Sequence, residues 1–257
     1  MNRTRRGFPL RSSALLFLLS ACASVPLGPS GEKTARIFLS DLVKNSEKRS
    51  AVSGNLFVTT ELGGRSVTMP AVLLVEFPDH LRLELQDPMG GIVALLVLNG
   101  PRAWLYMRDR PEIFTGPADK LPLSLFPTSS VEELVRVFLA RPYAERLNKA
   151  ALSDGKAVFR EGGLLETLLW DGRVAEPEEW RRSRAGKGGL SALYEDYEFK
   201  AGLRYPTMIK LAGADSEGNQ RRITLAWKDW DPSVPEEKKL FQIPQQETFG
   251  RKIKALP

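Results

Sequence analysis

The chain has 257 residues, a formal net charge of +6, one cysteine and one histidine. A single cysteine excludes an internal disulfide, and these two residues cannot supply the ligands of a structural zinc site. The basic residues fall in short separate runs rather than on one coherent face, which argues against nucleic-acid binding. A chain of this length is compatible with a single domain that has a sizeable core.

Residues 1–21 are typical of an export signal. Residues 1–11 contain four arginines and no acidic residue, residues 14–19 are all apolar, and two small residues precede Cys22. This succession matches a secretory signal peptide, and the apolar run is far shorter than the roughly 20 residues of a membrane-spanning helix. Residues 4–8 (TRRGF) partly resemble a twin-arginine signal, so the general and the twin-arginine export routes both stay open.

Cys22 is the predicted lipid anchor. Residues 19–22 (LSAC) resemble the bacterial lipobox, whose cysteine becomes the acylated first residue of the mature protein. The alternative is a small apolar residue that merely ends the apolar region. No aspartate follows the cysteine, and by the same resemblance this implies release to the outer membrane. Residues 22–32 are rich in Pro, Gly and Ser, which predicts a lipidated cysteine followed by a flexible tether.

The remaining chain, residues 33–257, is predicted to form a single domain. Residues 33–47 and 131–142 have helical apolar spacing, and the second stretch follows a capping-box pattern. Residues 172–189 are predicted to be a charged loop, and residues 245–257 a weakly ordered tail. The predicted strands are 52–62, 66–77, 80–86, 91–98, 102–108, 111–116, 156–161, 164–170, 190–200, 204–212 and 220–230.

Close strand spacing with tight turns favours an antiparallel sheet, because parallel crossovers need a dozen or more residues. Each helix has one apolar stripe that must be buried. We therefore predict a mainly β (α+β) fold, in which one strongly curved sheet of ten to eleven strands has both helices inside its concave face.

The sequence shows no pattern of a common catalytic site. There is no phosphate-binding glycine-rich loop and no G-x-S-x-G motif, and the single histidine, His80, lies at a predicted turn. Paired acidic residues are typical of helix caps and solvated charges, although the two carboxylates of a glycosidase could lie among them. These pairs are Glu132 and Glu133, Glu178 and Glu179, and Glu195 and Asp196. We predict no enzyme activity, no metal and no cofactor.

Four short patches resemble the LolA/LolB family of lipoprotein-localisation proteins, most closely its LolB-type outer-membrane receptors. They are residues 54–58 (GNLFV), 81–90 (LRLELQDPMG), the 131–142 helix ending in Arg-Pro, and Tyr205-Pro206 before the strand at 223–230. The resemblance spans residues 33–244, and the chain is longer than a typical member.

The resemblance implies an unclosed antiparallel β half-barrel whose concave face, covered by helices, shelters acyl chains. It also implies a monomeric lipoprotein on the periplasmic face of the outer membrane. The implied partners are acylated lipoproteins or other lipids, and a periplasmic LolA-type carrier.

In LolB-type receptors a Pro-x-Gly turn between two strands projects one apolar residue that is needed for delivery into the membrane. The matching residues here are Pro88, Met89 and Gly90. Loops normally carry polar side chains, so an apolar residue at this position requires an explanation. The alternative is that Met89 folds back and caps the sheet edge, because methionine readily fills irregular gaps.

Strand alternation predicts one set of side chains facing the covered side of the sheet, and a slip of one residue would move the whole set to the other face. The predicted lining residues are Leu56, Val58, Leu73, Val75, Leu81, Leu83, Leu85, Leu105, Ile223, Leu225 and Trp227. The predicted helical lid residues are Phe38, Leu42, Leu134 and Phe138. Two other functions stay open: binding of another lipid or apolar ligand, and a structural or assembly lipoprotein whose half-barrel is filled by its own side chains.

Overall fold

The fold was analysed in a computed structural model. It describes residues 29–62, 64–121, 130–153, 155–171, 173–184, 187–214, 220–235, 238–242 and 251–256. Cys22, the signal peptide and most of the predicted tether lie outside the described residues. Within the described ranges, no helix is both long and apolar enough to cross a membrane.

One large sheet of 14 strands dominates the structure. Its strands are β1 (Ala51–Leu62), β2 (Arg65–Glu76), β3 (His80–Gln86), β4 (Ile92–Asn99), β5 (Arg102–Met107), β6 (Glu112–Pro117), β7 (Ala151–Ser153), β8 (Lys156–Glu161), β9 (Leu164–Trp170), β10 (Pro177–Arg184), β11 (Lys187–Lys200), β12 (Leu203–Ala214), β13 (Gln220–Asp231) and β14 (Lys252–Ala255). The helices are α1 (Pro29–Glu47), α2 (Val131–Phe138) and α3 (Ala144–Leu147), with 3-10 turns at Ala118–Lys120 and Lys238–Phe241.

The strand order is β14-β6-β5-β4-β3-β2-β1-β13-β12-β11-β10-β9-β8-β7, so the sheet has two free edges and is not closed. All neighbours are antiparallel except β14, which runs parallel to β6. The predicted mainly β fold with an unclosed, essentially antiparallel sheet is confirmed. The predicted count of ten to eleven strands was too low, because β7, β10 and β14 were not foreseen.

Strand β1 lies in the middle of the sheet, between β2 and β13. Close approach to β13 requires glycine at position 54, where φ is +149° and an added Cβ would lie 2.3 Å from the carbonyl oxygen of Asp229. Only glycine adopts this backbone without strain. Gly54 therefore fixes how the N-terminal half of the sheet meets the C-terminal half.

The predicted loop at 172–189 is wrong, because β10 and the beginning of β11 occupy most of it. Trp180 of β10 is buried between Leu168 and Ala192 of the adjacent strands. Arg182 lies on the same face and forms an ion pair with Glu133 of α2. An arginine on the covered face hides the apolar-polar alternation by which a strand is recognised. Strand β14 was missed for a different reason: its four residues are all exposed, so they show no apolar face.

The main apolar core lies on the face of the sheet that the helices cover, which we call the inner face. Leu39 and Leu42 of α1 pack there together with Leu134 and Phe138 of α2. Helix α2 begins after Ser130, whose hydroxyl accepts a hydrogen bond from the backbone N–H of Glu133 at 3.1 Å. Such N-caps stabilise helices by about 1 kcal/mol.

A smaller core covers the opposite, outer face of β2–β6. Leu74, Leu95 and Val97 pack there against Phe241 of the C-terminal 3-10 turn. Arg82 secures that turn by donating to the carbonyl oxygens of Leu240 at 3.1 Å and Gln242 at 3.0 Å. Because this part of the sheet is covered on both faces, residues 71–75 of β2 and 92–98 of β4 are continuously apolar rather than alternating.

Candidate functional site

The strand register brings the predicted lining residues together on the inner face. Leu73 pairs with Leu83, Leu83 with Leu96, and Leu96 with Leu105, forming one continuous apolar row across β2–β5. A second row crosses the middle of the sheet, where Val58 of β1 pairs with Leu225 of β13. All the predicted lining residues are buried except Leu85 and Trp227, which are partly buried against the same core.

The predicted lid residues lie over these rows. Leu42, Leu134 and Phe138 are buried, and Phe38 is partly buried with its ring stacked 6.4 Å from that of Trp170. The structure therefore places all the predicted lining and lid residues except Leu105 in or against the main core, and Leu105 is buried beside Leu96 of that core. Whether that region receives acyl chains remains a prediction.

The packing of α2 leaves little free space beneath it. A partly open pocket between α2 and strands β9–β11 has a volume of about 10 Å³ and is lined in part by Val137, Leu168, Trp180 and Tyr194. This volume is about one water-sized sphere. An acyl chain could enter this pocket only if α2 moved away from the sheet.

Two buried carboxylates interrupt the apolar inner face, and sequence reasoning missed both. Glu133 is 1% exposed and pairs with Arg182, so it is not a solvated charge. Glu166 is 2% exposed and accepts hydrogen bonds from Trp180 Nε1 at 2.9 Å and from Arg146 at 2.6 Å. Buried charges persist when they are paired in this way. Each partner comes from a different element, so no local sequence signal could have shown the pairing.

Arg49 ties the C-terminal ends of both long helices to the sheet. It follows α1, donates Nε to the carbonyl oxygen of Arg204 at 2.9 Å and Nη1 to that of Ala140 at 2.8 Å, and forms an ion pair with Glu176. Burial lowers the pKa of Arg49 from its usual value. The hydroxyl of Tyr205 donates to the carbonyl oxygen of Phe138 at the end of α2, and burial raises its pKa.

Met89 stands in solvent at the turn between β3 and β4. Its side chain is 94% exposed, so it does not fold back onto the sheet edge. Asp87 Oδ1 accepts hydrogen bonds from the backbone N–H groups of Met89 and Gly91, both at 2.9 Å. Gly90 has a φ of +82°, a conformation that glycine adopts readily. Pro88 and Gly90 are exposed as well.

Arg108 completes this turn from the neighbouring strand connection. Its Nη1 donates to Asp87 Oδ2 at 2.5 Å, and this hydrogen bond is the main cause that holds the pKa of Asp87 below its usual value. We call residues 87–91 the Met89 turn. In this turn the apolar side chain of Met89 is exposed to solvent, and the Asp87 carboxylate restrains the backbone by hydrogen bonds.

Among the described residues, no three His, Cys, Asp or Glu side chains converge as metal ligands would. His80 Nδ1 lies 3.1 Å from Asp79 Oδ1, and its ring meets Phe241 edge to face at 5.1 Å. It therefore packs at the outer face, away from the inner apolar region.

No protein-family model matches the chain, and no curated protein matches it in sequence. Solved structures do match. A DUF1329 family protein from Desulfovibrio piger is 9% identical with a TM-score of 0.52, covering 80% of this chain and 96% of its own. A domain assigned to outer membrane lipoprotein sorting, from Vibrio parahaemolyticus, is 10% identical with a TM-score of 0.50, covering 80% and 97%. A LolA superfamily protein from Nitrosomonas europaea is 11% identical with a TM-score of 0.48, covering 79% and 96%.

At these identities the likeness concerns the fold alone. The first two structures share the overall fold of this chain over about four fifths of its length.

Proposed function

We propose that the protein is an outer-membrane lipoprotein, anchored through Cys22 on the periplasmic side, that shelters acyl chains of other lipoproteins and helps to insert them into the membrane. This is the role of a LolB-type receptor. The observation that carries the proposal is Met89, which is 94% exposed at the turn that matches the family's delivery turn. The fold shared with a lipoprotein-sorting domain supports it.

Energetics favour a carrier that has an apolar face and no reaction chemistry. Transfer of acyl chains into water costs about 0.8 kcal/mol per methylene, so acylated cargo needs shelter between membranes. In this proposal the two apolar rows of the inner face, one containing Leu73 and the other Val58, line the binding face. Helices α1 and α2 form its lid. The pocket beneath α2 holds only about 10 Å³, so acyl binding at that place requires α2 to move.

The partners follow from this role. Cargo would arrive from a periplasmic LolA-type carrier, and one copy of the protein would suffice for transfer. Depletion in the native host tests this directly, because acylated lipoproteins should then accumulate in the periplasm or the inner membrane. Normal lipoprotein distribution after depletion would contradict the proposal.

Met89→Glu tests the delivery step in vitro, with Met89→Leu as the matched control. Insertion of one methionine side chain into lipid gains about 1.5–3 kcal/mol, whereas a charge in hydrocarbon is costly. We expect Met89→Glu to bind a fluorescent triacylated lipopeptide normally but to pass it to liposomes at least about tenfold more slowly. Met89→Leu should transfer like the wild type. Loss of thermal stability in Met89→Glu with unchanged transfer would show instead that Met89 packs within the protein.

A structural or assembly lipoprotein is the second candidate, and the small pocket beneath α2 favours it. Binding of another lipid or apolar ligand uses the same inner face. Native mass spectrometry of the protein purified from membranes separates these functions. Bound acylated polypeptide supports the receptor, another lipid supports the alternative ligand, and protein without any ligand supports the structural role.

A further inference from the structure

Asp87 forms hydrogen bonds to other residues through both carboxylate oxygens and through its backbone N–H and carbonyl groups. Besides the two N–H groups on Oδ1 and Arg108 on Oδ2, its own N–H donates to the carbonyl oxygen of Gly91 at 2.9 Å. Its carbonyl oxygen accepts from the N–H of Gly90, also at 2.9 Å. Asp87 therefore forms hydrogen bonds with Met89, Gly90 and Gly91, the last three residues of the Met89 turn.

We propose that Asp87 and Arg108 are positioning residues for membrane delivery: Asp87 holds Met89 pointing outward, and Arg108 neutralises the carboxylate where the turn meets the membrane. The proposal rests on the function proposed above for Met89. It adds two residues that do not themselves enter the acyl layer.

The outward position of Met89 needs a restraint. An exposed methionine gains free energy by covering apolar surface, and a flexible turn would let it fold onto the nearby strands. The Asp87 hydrogen bonds restrain the backbone of the turn and so limit that movement. The side chains of Asp87 and Arg108 also pack closely against Gly91. A Cβ added at position 91 would lie 3.0 Å from Asp87 Oδ2 and 3.2 Å from Arg108 Nη1.

The charge of Asp87 needs a partner for a separate reason. The carboxylate lies two residues from Met89, so it approaches the headgroup region whenever the methionine enters lipid. An unpaired carboxylate there opposes insertion, because charges near hydrocarbon are costly. The Arg108 side chain is 50% exposed and comes from the adjacent strand connection, so it reaches the same surface and cancels this charge.

Three variants of the full-length acylated protein in phosphatidylethanolamine–phosphatidylglycerol vesicles test the proposal. Asp87→Ala removes both the restraint and the charge, Asp87→Asn keeps an oxygen acceptor for the turn, and Arg108→Gln leaves the carboxylate uncompensated. We expect transfer of the triacylated lipopeptide to fall about tenfold in Asp87→Ala and in Arg108→Gln, and only a few-fold in Asp87→Asn. The double variant Asp87→Asn with Arg108→Gln should recover to the level of Asp87→Asn.

The position of Met89 itself supplies a readout that a purely structural role would not change. Methionine labelled at its methyl carbon gives NMR signals, and Met89→Leu identifies the one that belongs to Met89. Vesicles with a spin-labelled phospholipid should broaden this signal strongly in the wild type and weakly in Asp87→Ala. Lipopeptide binding and thermal stability should stay within about twofold and a few degrees of the wild type in every variant.

The outcomes separate the two proposals. Wild-type transfer by Asp87→Ala, together with blocked transfer by Met89→Glu, would overturn the positioning roles and leave the receptor function standing. Equal transfer by wild type and Met89→Glu would overturn the role of Met89 itself. Parallel losses of lipopeptide binding and transfer in Asp87→Ala would show a general structural role and would also overturn the positioning proposal.

Discussion

Replacement of Arg49 by methionine perturbs the contact that joins both long helices to the sheet. The Arg49 side chain is 1% exposed and that of its partner Glu176 is 8% exposed. Removal of the guanidinium leaves a buried carboxylate without its arginine, which typically costs about 3–5 kcal/mol. The carbonyl oxygens of Ala140 and Arg204 lose a donor in the same step.

Thermal and urea unfolding measure this loss. In a domain of this size each kcal/mol lowers Tm by about 2–4 °C, so Arg49→Met should lower Tm by roughly 6–20 °C. Hydrogen exchange should accelerate in α2, whose C-terminal end Arg49 holds. Arg36→Met is the matched control, because its pair with Glu32 is about half exposed and should contribute less than about 1 kcal/mol.

A double variant separates the unpaired charge from the lost packing. Replacement of both partners of a buried ion pair by apolar residues is often neutral or stabilising. Arg49→Met with Glu176→Met should therefore recover most of the stability that Arg49→Met loses. If the double variant is as unstable as the single one, the uncompensated carboxylate is not the cause and the reasoning is refuted.

Two further predictions concern the anchor and the Met89 turn. Cys22→Ala should abolish palmitate labelling and leave the precursor uncleaved, and labelling that persists would exclude Cys22 as the anchor. The pKa of Asp87 lies below its ordinary value of about 3.9, so its charge stabilises the fold above that pH, and this stabilisation disappears as the pH falls through the lowered pKa. The Tm difference between wild type and Asp87→Asn should therefore persist at neutral pH and shrink only in strong acid. A difference that does not vary with pH would contradict this assignment.

The sequence predicted those parts of the fold that depend on local periodicity. Leu81, Leu83 and Leu85 alternate with polar residues, and this pattern alone assigned them correctly to the face that the helices cover. It failed where a charge lies on that face, as with Arg182 of β10. The partner of Arg182 is Glu133, on a helix some fifty residues away, and pairing at this distance leaves no periodic trace.

In the candidate site, too, the features that are local in sequence could be predicted and the contacts between distant residues could not. The motif at 87–90 indicated the exposed turn, because proline and glycine on either side of a methionine are local features. Its link to Arg108 was not visible, since the two residues meet only when β4 and β5 pair. The tie that Arg49 makes to α1, α2 and the sheet depends on contacts up to 155 residues apart, which a single sequence does not show.

The central position of β1 determines when the protein can complete its fold. Asn55 of β1 donates to Asp229 of β13 at 2.9 Å across a separation of 174 residues. Pairings of such high contact order form slowly, and β13 becomes available only after nearly the whole chain has been made. Until then β1 presents an unpaired edge beside exposed apolar strands, which is a template for aggregation. We therefore expect the yield of folded protein to rise with the supply of chaperones that hold newly made chains.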